Sequence, residues 1–309
     1  MMLTVDYINR RAGEDIAAFV AESEKRYRDE ISAIVEEINA DPDKKIIMIA
    51  GPSGSGKTTT AHILCDYLKE HGKHTEVVSL DDFYLNRKDA PRDSEGNPDF
   101  ETVHSLDIPE INRCFEDVID DGECMMPVFN FQTGRREEKR KLINIQNGGL
   151  MIVEGLHALN PLLSEELPHK NLFKIYISVS RSICDGDGKT LLSSRQMRLI
   201  RRMSRDSIYR GTAPQQTYEM WERVLLGEEK YLYGFKPTAD RVIATLHEYE
   251  PCIFRNIALS LMAEIDPQSE DYDYVEKTMR ALERFSAVDE SVVPQESLIR
   301  EFIKGGKYE

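Results

Sequence analysis

Eight consecutive residues, Gly51-Pro52-Ser53-Gly54-Ser55-Gly56-Lys57-Thr58, carry the densest chemical information in the chain. They fill every fixed position of G-x-x-x-x-G-K-[ST], in which glycines let the backbone curl until several N–H groups point inward at a β-phosphate. Lys57 can then reach the β- and γ-phosphates, and the Thr58 hydroxyl can ligate magnesium. Thr59 continues into a helix whose positive end faces the anion. The stretch follows the apolar run Ile46–Ala50 and opens a helical pattern over 57–71, a setting that a flexible Gly/Ser linker does not have. The implied ligands are ATP and Mg2+.

Two acidic residues can complete such a site. Asp81 follows the strand-like run 76–80, and Glu154 follows Leu150–Val153. Ligands of an open parallel sheet gather at the carboxyl ends of its strands. Glu154 there suits the magnesium that Thr58 touches, and Asp81 suits the proton of an attacking hydroxyl. Either residue alone reads as an ordinary turn; together they read as a kinase site. Arginines at 195, 198, 201, 202, 205 and 210 lie on and just after a basic helix over about 189–205. The break at Tyr209–Pro214 favours an arginine-bearing lid over about 195–214, closing Arg205 and Arg210 on the phosphates, above a solvated basic face. No N-K-x-D or T-K-x-D element is present, which argues against a GTPase.

The elements around these residues alternate. Strand-like runs at 46–50, 76–80, 150–153, 173–179 and 241–245 are separated by helical patterns. This predicts an α/β protein of the P-loop NTPase kind, a doubly wound parallel sheet with helical additions at both ends. The organisation expected is an N-terminal helical segment over 1–44, a kinase domain over 45–250 and a C-terminal helical segment over 251–309. The first packs on the main domain or on a second subunit, which leaves a homo-oligomer open. The 309 residues carry 40 Lys and Arg against 55 Asp and Glu, a net charge of −15 that opposes nucleic-acid binding. No apolar run approaches the ~18 residues of a membrane span. Five scattered cysteines form no disulfide frame or zinc pattern, and a cytoplasmic protein is expected.

Several motifs in order resemble the uridine kinase and phosphoribulokinase family of P-loop kinases. After the phosphate loop comes Leu80-Asp81-Asp82-Phe83-Tyr84, then Phe100-Glu101, Pro127-Val128-Phe129-Asn130-Phe131, Glu154-Gly155, and Arg202-Met203-Ser204-Arg205-Asp206 with Arg210. The resemblance spans about residues 45–250. It implies Asp81 as catalytic aspartate with Lys57, Arg205 and Arg210, and Tyr84, Phe129 and Phe131 lining a nucleoside. It further implies Phe100-Glu101 and Arg202 at the ribose, with Thr58 and Glu154 at magnesium. Three positions depart from it: Phe129 replaces a base-reading tyrosine, Gly134 a base-reading histidine, and Thr212 a further lid arginine. The expected activity is transfer of the γ-phosphoryl group of ATP to a hydroxyl of a small molecule, most readily a nucleoside. A sugar phosphate, pantothenate or glycerate as acceptor, or a nucleotide-binding regulatory protein, are the rival readings. The tail 293–303 resembles that of bacterial uridine kinase-like nucleoside kinases.

Overall fold

Ile46-Ile47-Met48-Ile49-Ala50 has no polar side chain to turn toward water, so its stable place is the interior of a sheet covered on both faces. A computed structural model, describing residues 2–92 and 95–308, puts it there. The chain begins with helix α1 (Val5–Ala40), then β1 (Ile46–Ala50), α2 (Lys57–Glu70), β2 (Thr75–Ser79) and α3 (Ile108–Asp120). Two short antiparallel pairs follow, β3 (Glu123–Met126) with β6 (Lys141–Asn144) and β4 (Phe129–Asn130) with β5 (Arg135–Arg136). After β7 (Leu150–Glu154) and β8 (Leu172–Ser178), β9 (Ile183–Cys184) pairs with β10 (Thr190–Leu192). Then come α4 (Ser194–Tyr209), α5 (Pro214–Tyr231), β11 (Arg241–Ala244), α6 (Glu250–Met262) and α7 (Tyr272–Glu283).

The central sheet runs β11-β8-β1-β7-β2, all parallel. Alternation along β1 divides the interior into two cores. Ile47 and Ile49 join α1, α2, α4, α6 and α7 on one face, whereas Ile46, Met48 and Ala50 meet α3 and the β3–β6 pair on the other. The expected α/β sandwich is therefore present. Among the described residues no helix is long and apolar enough to cross a membrane.

Three local expectations need revision. The basic helix begins at Ser194, not near 189, because Ser193 and Gln196 form a reciprocal capping box and residues 190–192 are held in a strand pair. The N-terminal helix is interrupted at Asp15 (φ −160°, ψ 93°), whose carboxylate caps Ala18 N at 2.9 Å. It packs on the sheet's own core through Tyr27, Ile31, Ile34 and Ile38, and the Tyr27 hydroxyl donates to Thr60 of α2 at 2.8 Å. Arg198 and Arg201, expected on a lid or a solvated face, lie in the interior. Arg198 pairs with Glu228 of α5, and Arg201 with Glu250 of α6 at 2.8 Å, both members of the second pair fully buried. Helix α4 is thereby fastened between two neighbours.

Removing one partner of such a pair strands a charge in low dielectric. Arg201→Met is expected to cost about 3–5 kcal/mol in urea unfolding, and adding Glu250→Leu should recover much of that loss. A double variant as unstable as the single one would show that the stranded charge is not the cause.

Candidate active site

The loop 51–58 is shaped by contacts that exclude side chains. Gly54 and Gly56 have φ of 72° and 89°, the left-handed region that glycine enters without a Cβ penalty. A Cβ on Gly51 would lie 2.4 Å from the Ile177 carbonyl of β8, and one on Gly54 would lie 2.7 Å from the Arg198 carbonyl. The outer side of the loop is then gripped by α4. Arg198 Nε donates to the Ser53 carbonyl at 2.8 Å, Arg201 to the Gly54 carbonyl at 3.2 Å, and Arg202 to Ser53 Oγ at 2.8 Å. The Ser53 N–H turns outward to Glu228 at 2.7 Å. Ser55 Oγ is buried without a hydrogen-bond partner. Narrow, glycine-lined and bounded by Lys57, this cradle fits a phosphate chain.

Register brings the acidic residues to the same end. Glu154 lies beside Ile49 of β1 on one side and Ser79 of β2 on the other. Its carboxylate is 3.4 Å from Thr58 Oγ1, a hydroxyl–carboxylate pair of hard oxygens that fits Mg2+. Asp81 lies in the turn Leu80–Phe83, where its N–H donates to Ser79 Oγ at 3.3 Å. Asp81 remains open to water at the mouth of a cleft whose walls still desolvate it. That raises its pKa, with Asp82 adding to the shift and Lys57, Arg210 and Arg205 opposing it. Burial, with Asp81 second, pushes Glu154 up to about 7 although Lys57 pulls the other way. Desolvation lowers the Lys57 ammonium against the fields of Glu154, Glu301 and Asp81.

The three arginines assigned to the site share one organiser that the sequence reading passed over. Asp206, almost fully buried, lies 3.3 Å from Arg202, 3.7 Å from Arg205 and 3.2 Å from Arg210. Its i,i+4 spacing from Arg202 and Arg210 was the available signal. Arg205 is also paired with Glu301 at 3.1 Å, and Glu301 accepts from Thr59 Oγ1 at 2.8 Å.

On the other flank, Tyr84, Phe129 and Phe131 form one aromatic run, with ring centroids 5.8 and 5.1 Å apart. Asp82 fixes it by accepting the Phe129 N–H at 3.2 Å. Phe131 keeps half of its surface exposed, and the Phe100 side chain also faces water while its carbonyl accepts from the Tyr84 hydroxyl at 3.4 Å. Glu101 sits against Gly227 of α5. Burial raises its pKa, opposed by Arg202. Gly134 takes φ 65°, which strains any other residue, and a Cβ there would push aside the exposed Arg87 side chain. Arg136 clasps the Asp81–Tyr84 turn by donating to the Phe83 and Tyr84 carbonyls at 2.7 and 2.9 Å. His157, buried beside Tyr231 with its pKa pushed down to about 4 by burial, is a further neutral group on the Glu101 side. Neither Arg136 nor His157 stands out from the sequence alone.

Residues 46–250 match the model of the Phosphoribulokinase / Uridine kinase family. A uridine kinase of Lactobacillus johnsonii is 26% identical over 208 residues, covering 67% of this chain and 84% of that one. One from Lactobacillus helveticus is 25% identical over 166 residues, covering 54% and 69%. Among solved structures, a "possible uridine kinase" from Bacillus stearothermophilus is similar over 70% of this chain and 98% of its own, at 19% identity and a TM-score of 0.48.

The raised Glu154 pKa sets a pH test independent of turnover. Between its ordinary value of 4.5 and about 7, the folded protein keeps a proton that the unfolded chain has lost, so this group's contribution to stability falls as pH rises through that window. Glu154→Gln is expected to stabilise the ligand-free protein by up to about 3 kcal/mol at pH 8 and to change little at pH 4. An equal effect at both pH values, read from urea midpoints, would mean that Glu154 titrates normally.

Proposed function

The chain belongs to the phosphoribulokinase/uridine kinase family, and from that premise we propose that it is a cytoplasmic kinase moving the γ-phosphoryl group of ATP to a hydroxyl of a nucleoside. The reading rests on one juxtaposition: Lys57, Thr58, Glu154 and Asp81 converge where the adjacent strands β1, β7 and β2 end. The names of its relatives, uridine kinases, support the nucleoside as acceptor class.

In this mechanism the loop amides and Lys57 bind the phosphate chain of ATP. Thr58 and Glu154 hold Mg2+, which when bound neutralises charge on the phosphate oxygens. Asp81 accepts the proton of the attacking hydroxyl; its raised pKa leaves it a better proton acceptor than an ordinary aspartate. Glu101 and Arg202 bind the sugar, and Tyr84, Phe129 and Phe131 flank the base. Arg205 and Arg210 stabilise the negative charge that develops in transfer.

Asp81→Asn keeps the shape and removes the proton acceptor. It should lower kcat by ~10²–10⁴-fold with little change in ATP affinity. A fall of less than about threefold, well below that range, returns Asp81 to a turn residue.

The acceptor pocket makes a second expectation. Phe129 has no hydroxyl and Gly134 has no side chain, so two polar base readers are missing while Glu101 remains for the ribose. Apolar contact discriminates by only ~10–200-fold, whereas lost hydrogen bonds to a built site cost ~10⁴–10⁵. Uridine should therefore exceed no other ribonucleoside by more than about 200-fold in kcat/KM, and 2′-deoxy forms should lose more than base exchange does. The assay is coupled ADP release across five ribonucleosides and their deoxy forms, with glycerate, pantothenate and a sugar phosphate alongside. A preference of thousands-fold for one base, or turnover of a non-nucleoside alone, would overturn this reading.

A further inference from the structure

The segment after α7 lies outside the family match and ends on the phosphate loop. Leu298 packs over Gly56, where a Cβ would lie 2.7 Å from its side chain. Glu301 spans Thr59 and Arg205. The Phe302 ring lies under the Arg201 guanidinium at 5.1 Å, and the Phe302 carbonyl accepts from Ser204 Oγ at 2.6 Å. Beyond a turn at Gly305 (φ 85°), the chain is fastened to α2. Lys307 and the Tyr308 hydroxyl reach Asp66 at 2.7 and 2.9 Å, and the Tyr308 ring stacks on His62 with an interplanar angle of 13°.

Between this strap, the first turn of α2 and the end of α4 lies a cavity of about 360 Å³. Its walls include Thr59, Arg205, Tyr209, Arg300, Glu301 and Tyr308. That volume and the mixture of two aromatic rings with a few fixed polar groups are those of a small-molecule pocket. None of Tyr84, Glu101, Phe129 or Phe131 borders it, so it is separate from the acceptor cluster.

A nucleoside triphosphate whose phosphates lie in the 51–58 cradle must place its nucleoside end beside that cradle. The cavity adjoins Thr58 and Thr59, at the cradle's rim. Resting on the reading of that loop as the phosphate site, we propose that the cavity receives the base and ribose of the donor nucleotide, and that residues 298–308 are its recognition element. Tyr308 and Tyr209 supply aromatic faces for the base. Glu301, held by Thr59 and Arg205, offers its carboxylate oxygens to the ribose hydroxyls. Because Arg205 contacts the strap directly, base binding and the phosphate-facing arginine are joined by one carboxylate.

The test separates the two ends of the donor. Calorimetric affinities for ATP and for inorganic tripolyphosphate are measured on the full chain and on Tyr308→Ala, Tyr308→Phe and Tyr209→Ala. Both alanine variants should weaken ATP by roughly three- to tenfold, the worth of an aromatic contact, and leave tripolyphosphate unchanged. Tyr308→Phe, which keeps the ring, should bind ATP nearly as the parent does. Should Tyr308→Ala fail to fold, Tyr209→Ala, whose side chain is 44% exposed, carries the same comparison. Equal weakening of both ligands would mean that the strap only shapes the phosphate loop, and unchanged ATP affinity in both alanine variants would put the base elsewhere. Either result overturns the proposal while leaving the cradle in place. A parent protein that binds neither ligand would remove the cradle reading, and the proposal with it.

Discussion

A loop can turn its amide protons toward an anion only if its carbonyls are engaged on the other side. Here that engagement falls to one helix. Arg198, Arg201 and Arg202 of α4 take the carbonyls of Ser53 and Gly54 and the hydroxyl of Ser53. Two of those arginines are anchored in turn by buried glutamates of α5 and α6. Backbone polar groups in an interior must find partners, so the arginine grip fixes the loop's outward face and leaves its inward face for a ligand. The basic stretch is thus divided. Arg198 and Arg201, packed inward, hold the loop from behind, and Arg202, which also bonds Ser53, joins Arg205 and Arg210 around Asp206.

Charge in the site is balanced within a strongly acidic molecule. Asp81 raises the proton affinity of Glu154 and Asp82 that of Asp81; Lys57 counters both, and Arg210 and Arg205 counter the shift at Asp81. Such an arrangement costs stability in the ligand-free protein and is most favourable when polyphosphate and a divalent cation are added together. The same logic suits the metal site proposed above, to which the protein would contribute little. A hydroxyl and one carboxylate suffice for an ion that keeps much of its water and shares phosphate oxygens.

Much of this was legible before any coordinates. The sheet could be read because its strands are short apolar runs between helical periods, and the loop because its glycines sit at fixed spacing. Glu154 sits where its strand-like run ends, at the last residue of β7, whereas Asp81 lies two residues past the end of β2, in the turn that follows. What could not be read depends on long-range partners. That Arg198 and Arg201 are interior follows from Glu228 and Glu250, which lie 30 and 49 residues away and carry no signal of their own. The start of α4 was misjudged because residues 190–192 are held by pairing to β9 and not by local preference. Arg136, which clasps the Asp81 turn, looks like any surface arginine until its 53-residue reach to Phe83 is known. For α1 the sequence left packing on the main domain or on a second subunit open; the structure packs it on the main domain and joins it to the site helix by a hydrogen bond from Tyr27 to Thr60.

The strap over the loop also has a consequence in time. Thr59 and Glu301 are 242 residues apart in the chain, yet they share a hydrogen bond, and Leu298 is the lid on Gly56. At ~5–20 residues per second, a ribosome delivers the second partner roughly 12–50 s after the first. From the time Ala244 is delivered, the sheet, α2 and α4 can all be in place while Gly56 still lacks its cover. The growing polypeptide therefore acquires its phosphate loop in two instalments, a cradle made early and a cover added late. During the wait, Leu298, Ile299, Phe302 and Ile303 leave uncovered an apolar seat that they later fill completely.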